Sequence, residues 1–208
     1  TLDNPTIRAN FSVKDGRVFL PNYNARFRNI NLTANLPERS SEIAIRGNIG
    51  TEQGTLNING SYNLANLNAS VNAEGENLLL ANSDDIRIVA SPRLSFTSSR
   101  EEHSLNGTLR LPEVLYIHNS FKGGGSVIHE SPDTVVIGSG VEERQSSFME
   151  MLSMDLNILL GDTISVGAGR FLGDLSGGLK LTKDRYQPLR GLGVINIGQG
   201  EYSIYGQR

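Results

Sequence analysis

Apolar and polar residues alternate without interruption along Leu56-Asn57-Ile58-Asn59-Gly60-Ser61-Tyr62-Asn63-Leu64. A period of two marks a strand that buries one face and wets the other. The same alternation returns in Ile43/Ile45/Ile49, Leu67/Ala69/Val71/Ala73, Ile86/Ile88/Ala90, Leu94/Phe96, Leu105/Leu109/Leu111 and Leu115/Ile117, with Gly, Asn, Asp or Ser between the runs. From Asp155 it resumes through Ile158/Leu160, Ile164/Val166, Leu175/Leu179/Leu181 and Val194, and closes on Tyr202 and Tyr205. Runs of this kind at short intervals predict an all-β chain built as an antiparallel meander. At the usual five or six residues per strand, roughly fourteen to seventeen strands are expected.

So many strands with one apolar face cannot lie flat, because a flat sheet would leave that face in water. The sheet must fold over on itself. A lipid-embedded barrel would need aromatic girdles at both interfaces, whereas the chain has no Trp and its 7 Phe and 6 Tyr do not gather at strand ends. A sandwich would fill its interior with bulky side chains, whereas the inner positions here mix Ile and Leu with many Ala and Gly. That mixture permits a curved sheet with an incompletely filled interior.

One segment breaks the pattern. Residues 118–154 hold Gly123-Gly124-Gly125, Pro132 and then Glu142-Glu143-Arg144-Gln145-Ser146-Ser147-Phe148-Met149-Glu150-Met151. This reads as a flexible loop or a short helical insertion within one domain spanning 1–208, since the strands on both sides share one style.

The chemistry-bearing residues form no catalytic constellation. His103, His118 and His129 stand in polar or loop-like contexts with no Cys and no metal-ligand spacing, so no metal or cofactor is expected. Gly138-Ser139-Gly140 lacks the frame of a nucleophile elbow. Gly167-Ala168-Gly169 with Gly173 is followed by more strand rather than the helix a dinucleotide loop requires. Asp84-Asp85 and Glu101-Glu102 are adjacent in sequence, which suits turns better than two carboxylates facing each other across a cleft. Sequons at Asn31, Asn59, Asn68 and Asn106 are what a chain with 20 Asn generates by chance. A net charge of −3 with scattered Lys and Arg gives no footprint for nucleic acid. No apolar run approaches the 18 residues of a membrane-spanning helix. Thr1 follows neither a signal-peptide pattern nor a start methionine, which reads as an internal fragment.

Several motifs stand in order along the chain: Gly107-Thr108-Leu109-Arg110-Leu111-Pro112, Ser131-Pro132-Asp133-Thr134-Val135-Val136-Ile137, Leu160-Gly161-Asp162, Asp174-Leu175-Ser176-Gly177-Gly178-Leu179, Gly193-Val194-Ile195-Asn196-Ile197 and the closing Gly200-Glu201-Tyr202-Ser203-Ile204-Tyr205-Gly206-Gln207. Together they resemble the C-terminal domain of TamB, a subunit of the translocation and assembly module. The N-terminal half agrees in style, as at Ser91-Pro92-Arg93-Leu94. The resemblance implies a β-taco, a long curled antiparallel or mixed sheet forming a U-shaped trough with an apolar interior. It implies a periplasmic protein held in the inner membrane by an N-terminal helix absent here. It also implies contact with the outer-membrane barrel partner TamA through the region after this chain.

The family is similar to the AsmA-like, bridge-like lipid transfer proteins, which makes phospholipid the expected partner and intermembrane phospholipid transport the expected function. On that reading the groove is lined by Ile43, Ile45, Leu56, Ile58, Leu64, Val71, Ile86, Ile88, Leu109, Leu111, Ile164, Val166, Leu179 and Val194, each of which could equally be ordinary core. The alternative function is a chaperone-like scaffold that binds the β-strands of outer-membrane or autotransporter proteins. A surface adhesin or autotransporter passenger, which would have a filled interior, also fits the Gly and Asn content.

Overall fold

The computed structural model describes residues 8–118, 147–168 and 171–202. They form one sheet of eleven strands: β1 (Ala9–Leu20), β2 (Ala25–Leu36), β3 (Glu42–Gly50), β4 (Thr55–Asn63), β5 (Ala69–Gly75), β6 (Leu78–Asn82), β7 (Ile86–Ser98), β8 (His103–His118), β9 (Leu152–Ala168), β10 (Phe171–Lys183) and β11 (Arg190–Tyr202). A 3₁₀ turn at Pro21–Tyr23 and a short helix α1 (Ser147–Met151) complete the elements. The helix falls inside the span read as a loop or helical insertion, of which residues 119–146 lie outside the described residues. The strands pair in chain order from β1 to β11, except that β6 lies off this path and pairs only with β7. The sheet does not close into a barrel but curls into a trough.

Eleven strands replace the fourteen to seventeen expected, because several runs that look separate in sequence are single long strands bent at bulges. Ile86/Ile88/Ala90 and Leu94/Phe96 both belong to β7, and Leu105/Leu109/Leu111 and Leu115/Ile117 both belong to β8. Their registers shift between Val89 and Ser91 and between Leu111 and Glu113. Pro92 and Pro112 lie next to those shifts, where a residue without an N–H is tolerated. Gly161 in β9 faces the second shift, and a Cβ there would stand 2.8 Å from the Pro112 backbone. Only glycine permits that approach.

All neighbouring strands are antiparallel except β8 and β9, which are parallel. Parallel neighbours need a connection of a dozen or more residues, and the sequence between His118 and Leu152 is long enough for one. The hairpin bends are built by local side-chain hydrogen bonds. Asn63 Oδ1 accepts from the Ala65 N–H (2.9 Å) between β4 and β5, and Ser99 Oγ accepts from the Glu102 N–H (3.1 Å) between β7 and β8. Asp84-Asp85 and Glu101-Glu102 sit in two such bends.

The core is small. Among the described residues the buried apolar set is Ala25, Leu36, Leu78, Leu79, Ala81, Val89, Ala90, Leu152 and Ile164, and no large side chain is completely buried. With neighbouring strands about 4.8 Å apart, ten in line extend roughly 43 Å along the trough.

Candidate functional site

In a β-ladder, directly opposed residues share a face, so the register maps each face across the sheet. One row runs Val13, Leu32, Gly47, Ile58, Ala73, Leu94, Gly107, Leu156, Leu181, Gly191 through ten strands. A second runs Phe11, Ala34, Ile45, Gly60, Val71, Phe96, Leu105, Met154. A row of opposite parity runs Asn31, Asn48, Asn57, Glu74, Arg93, Thr108, Asn157, Lys180. Along these rows apolar and polar side chains lie on opposite faces. The apolar side chains of β3 to β5 are half-buried while most of their polar neighbours are exposed, as expected if the sheet curls toward its apolar face. Small residues alternate with large ones along the first row from Leu32 to Leu156, so the inner wall is ridged there.

The proposed lining residues fall mostly on this inner face. Ile45, Ile58 and Val71 lie in the two rows above. Ile43 opposes Tyr62, and Leu56 opposes Ile49 and Gly75. Leu109 opposes Pro92 and Ile158, Ile158 in turn opposes Leu179, and Leu111 opposes Leu160. Beyond the bulges, Ile86 opposes Tyr116, which opposes Val166, while Ile88 opposes Val114, which opposes Ile164. In β7 no residue is added at the shift, so Ile86 and Ile88 keep the parity of Leu94 and Phe96. Ile164 is only 3% exposed.

Two residues stand apart. Leu64 lies in the turn after β4, 45% exposed. Val194 is 66% exposed and opposes Gly178, which opposes Leu159. That places Val194 on the outer face, since the inner positions of β11 are Gly191, Gly193, Ile195 and Ile197. Strand β11 is apolar on both faces, so alternation could not assign its parity.

Strands β1 and β2 lie outside the alternating runs read from the sequence. The signal was present in Ile30-x-Leu32-x-Ala34-x-Leu36, but in β1 it is broken by two register shifts around Gly16, with Asp15 in the left-handed region at φ 52°. These strands help to build an apolar hollow of about 240 Å³ lined by Val18, Phe27, Ile30, Ile49, Thr51, Leu56, Leu78 and Leu80. The hollow forms because β3 and β4 end at Gly50 and Thr55, while β2 runs on and β6 approaches it across the gap. Side chains tie this seam. Asn24 Nδ2 donates to the Asn82 carbonyl (2.8 Å) and the Leu79 N–H donates to Thr51 Oγ1 (3.1 Å).

At the rim, α1 rests on the inner face through Phe148, whose ring centroid lies 4.8 Å from that of His103 and 6.4 Å from that of Phe96. Lys183 Nζ donates to the Leu152 carbonyl (2.8 Å) beside it. Among the described residues, no group of His, Asp and Glu is arranged to hold a metal ion, and no helix is long and apolar enough to cross a membrane. Among the described residues, the arrangement offers an apolar wall backed by a largely polar face.

The family model described as the TamB C-terminal domain matches residues 44–208. No solved structure matches the chain.

Proposed function

This chain belongs to the TamB C-terminal domain family, and from that membership we propose that its trough carries the acyl chains of phospholipids between the inner and outer membranes. The family sets the chain in the translocation and assembly module, among non-catalytic, periplasm-spanning proteins associated with TamA. The observation that carries the lipid reading is the uninterrupted apolar row from Val13 to Gly191. Each CH₂ moved from water to such a wall is favourable by about 0.8 kcal/mol. The chemically similar row offers similar contacts at successive strands, so a tail can advance without a large change in free energy. Head groups stay in water at the open side, and no bond is made or broken. On this reading an N-terminal helix outside the chain anchors the protein in the inner membrane, and the region after Arg208 meets TamA.

The test is to incubate the purified chain with phospholipid vesicles, re-isolate it and quantify bound phospholipid by mass spectrometry. Stoichiometric phospholipid that is lost in Val166→Asp supports the reading. A folded chain that emerges free of lipid contradicts it.

One observation favours the second reading, a scaffold for the strands of outer-membrane proteins. Among the described residues strand β11 ends the sheet and carries no charge from Gly191 to Gly200, whereas β1 at the other end holds Lys14, Asp15 and Arg17 beside its bulges. Charges and bulges blunt an edge against strand addition, so β11 is the edge suited to pairing. Hydrogen-exchange protection of residues 191–200 on adding an unfolded barrel polypeptide would support this. Unchanged exchange there would remove it.

A further inference from the structure

The hollow beneath β6 differs from the rest of the trough, and we infer that it is a fixed holding site for the methyl end of one acyl chain. This inference rests on the lipid reading above and narrows it, because a conduit of equivalent positions needs no such site.

Along β3 to β5 the apolar positions of the inner face form a half-buried strip. At the hollow three pieces of chain converge: β1 and β2 through Val18, Phe27 and Ile30, the end of β3 through Ile49, and β6 through Leu78 and Leu80. Leu78 and its neighbour Leu79 are among the most buried residues of the molecule, so the wall on that side is anchored. Thr51 brings the only side-chain polar atom in the lining. Its hydroxyl is already engaged, donating to the Gly54 carbonyl (3.0 Å) and accepting from the N–H groups of Gly54 (3.0 Å) and Leu79 (3.1 Å). The hollow, at about 240 Å³, is open on one side, and a water that enters it exchanges bulk hydrogen bonds for an almost wholly apolar lining. A phosphate or ammonium head group would find no partner there. A hydrocarbon end entering from the trough would find apolar contact on three sides. At about 0.8 kcal/mol per buried CH₂, each methylene that enters strengthens retention roughly four-fold.

The test uses two phosphatidylcholines, one with a diazirine at the terminal carbon of an acyl chain and one with it beside the ester carbonyl. Each is loaded onto the full chain, photolysed and mapped by peptide mass spectrometry. The expected result is at least ten-fold more adduct on Phe27, Leu78 and Leu80 from the terminal probe than from the ester-proximal one. Filling the hollow by Leu80→Trp is expected to abolish the adducts at Phe27 and Leu78 while leaving those at Phe96 and Leu105 unchanged. Equal labelling by the two probes at the hollow, or terminal-probe adducts spread evenly over Ile58, Phe96 and Leu105, would overturn the holding site and leave the conduit standing. Absence of adducts from every inner-face residue would overturn the lipid reading and this inference with it.

Discussion

Replacing Ile58 by Asp puts a carboxylate in the middle of the inner wall, between Gly47 on one side and Ala73 on the other. Neither neighbour offers a partner, and Arg46, one position away in the facing strand, registers with Asn59 on the outer face. Ile58 is half-buried, so its loss forfeits about half of the 1.5–3 kcal/mol that full burial contributes, or about 1 kcal/mol. A sheet held by continuous backbone ladders on both sides of β4 should survive that. The cost to a bound tail is larger. A hydrated carboxylate keeps its water, so the chain must lift away from the wall. Losing contact over three CH₂ groups costs about 2.4 kcal/mol, which lowers occupancy roughly fifty-fold. The assay is phospholipid retained after incubation with vesicles, with urea denaturation run alongside to verify folding. Asn57→Asp, on the outer face of the same strand, is the control and should change neither quantity. An Ile58→Asp chain that unfolds within about 1 kcal/mol of the parent and retains as much phospholipid would refute the reasoning.

Val194→Asp should leave lipid retention unchanged and stability within about 0.5 kcal/mol, because a substitution at a site 66% exposed on the outer face disturbs little. A loss of retention equal to that of Val166→Asp would return Val194 to the groove. Gly107 has φ +144°, and a methyl there would meet the Arg93 carbonyl oxygen. Gly107→Ala is therefore expected to cost at least about 2 kcal/mol in urea denaturation, and a neutral result would contradict the register at the β7–β8 ladder. The Arg87–Glu113 pair, at 2.6 Å with a further Arg87 hydrogen bond to Asn82 (2.8 Å), should show a coupling of about 1 kcal/mol in a double-mutant cycle. The more exposed Lys180–Asp155 pair at 3.0 Å should show less than about 0.5 kcal/mol. The reverse order would mean that burial does not set the strength of these pairs.

The faces of β3, β4 and β5 are legible in sequence because period two is strict there and one parity carries no large apolar residue, as in Asn57, Asn59 and Ser61. The strand count is not legible, since Pro92, Pro112 and Gly161 read as breaks while the structure absorbs them as bulges inside long strands. Parity fails at β11, where Leu192 and Val194 on one face are as apolar as Ile195 and Ile197 on the other. The hollow is invisible for a different reason. Val18 and Phe27 are partners in the β1–β2 ladder, but Leu80 comes from β6, far along the chain, and reaches them across the end of the short β3–β4 hairpin. The curl itself was implied by a one-sided sheet too large to lie flat, and its trough form by the family motifs.

The most direct test of a lipid-lined trough is photocrosslinking in cells from a probe built into the chain at Ile45, Ile58 or Val166 on the inner face and at Arg46, Asn57 or Ser165 on the outer. Phospholipid adducts are predicted from the three inner positions and from none of the outer ones. Polypeptide adducts without phospholipid at the inner positions, or phospholipid from both faces alike, would contradict the proposed conduit.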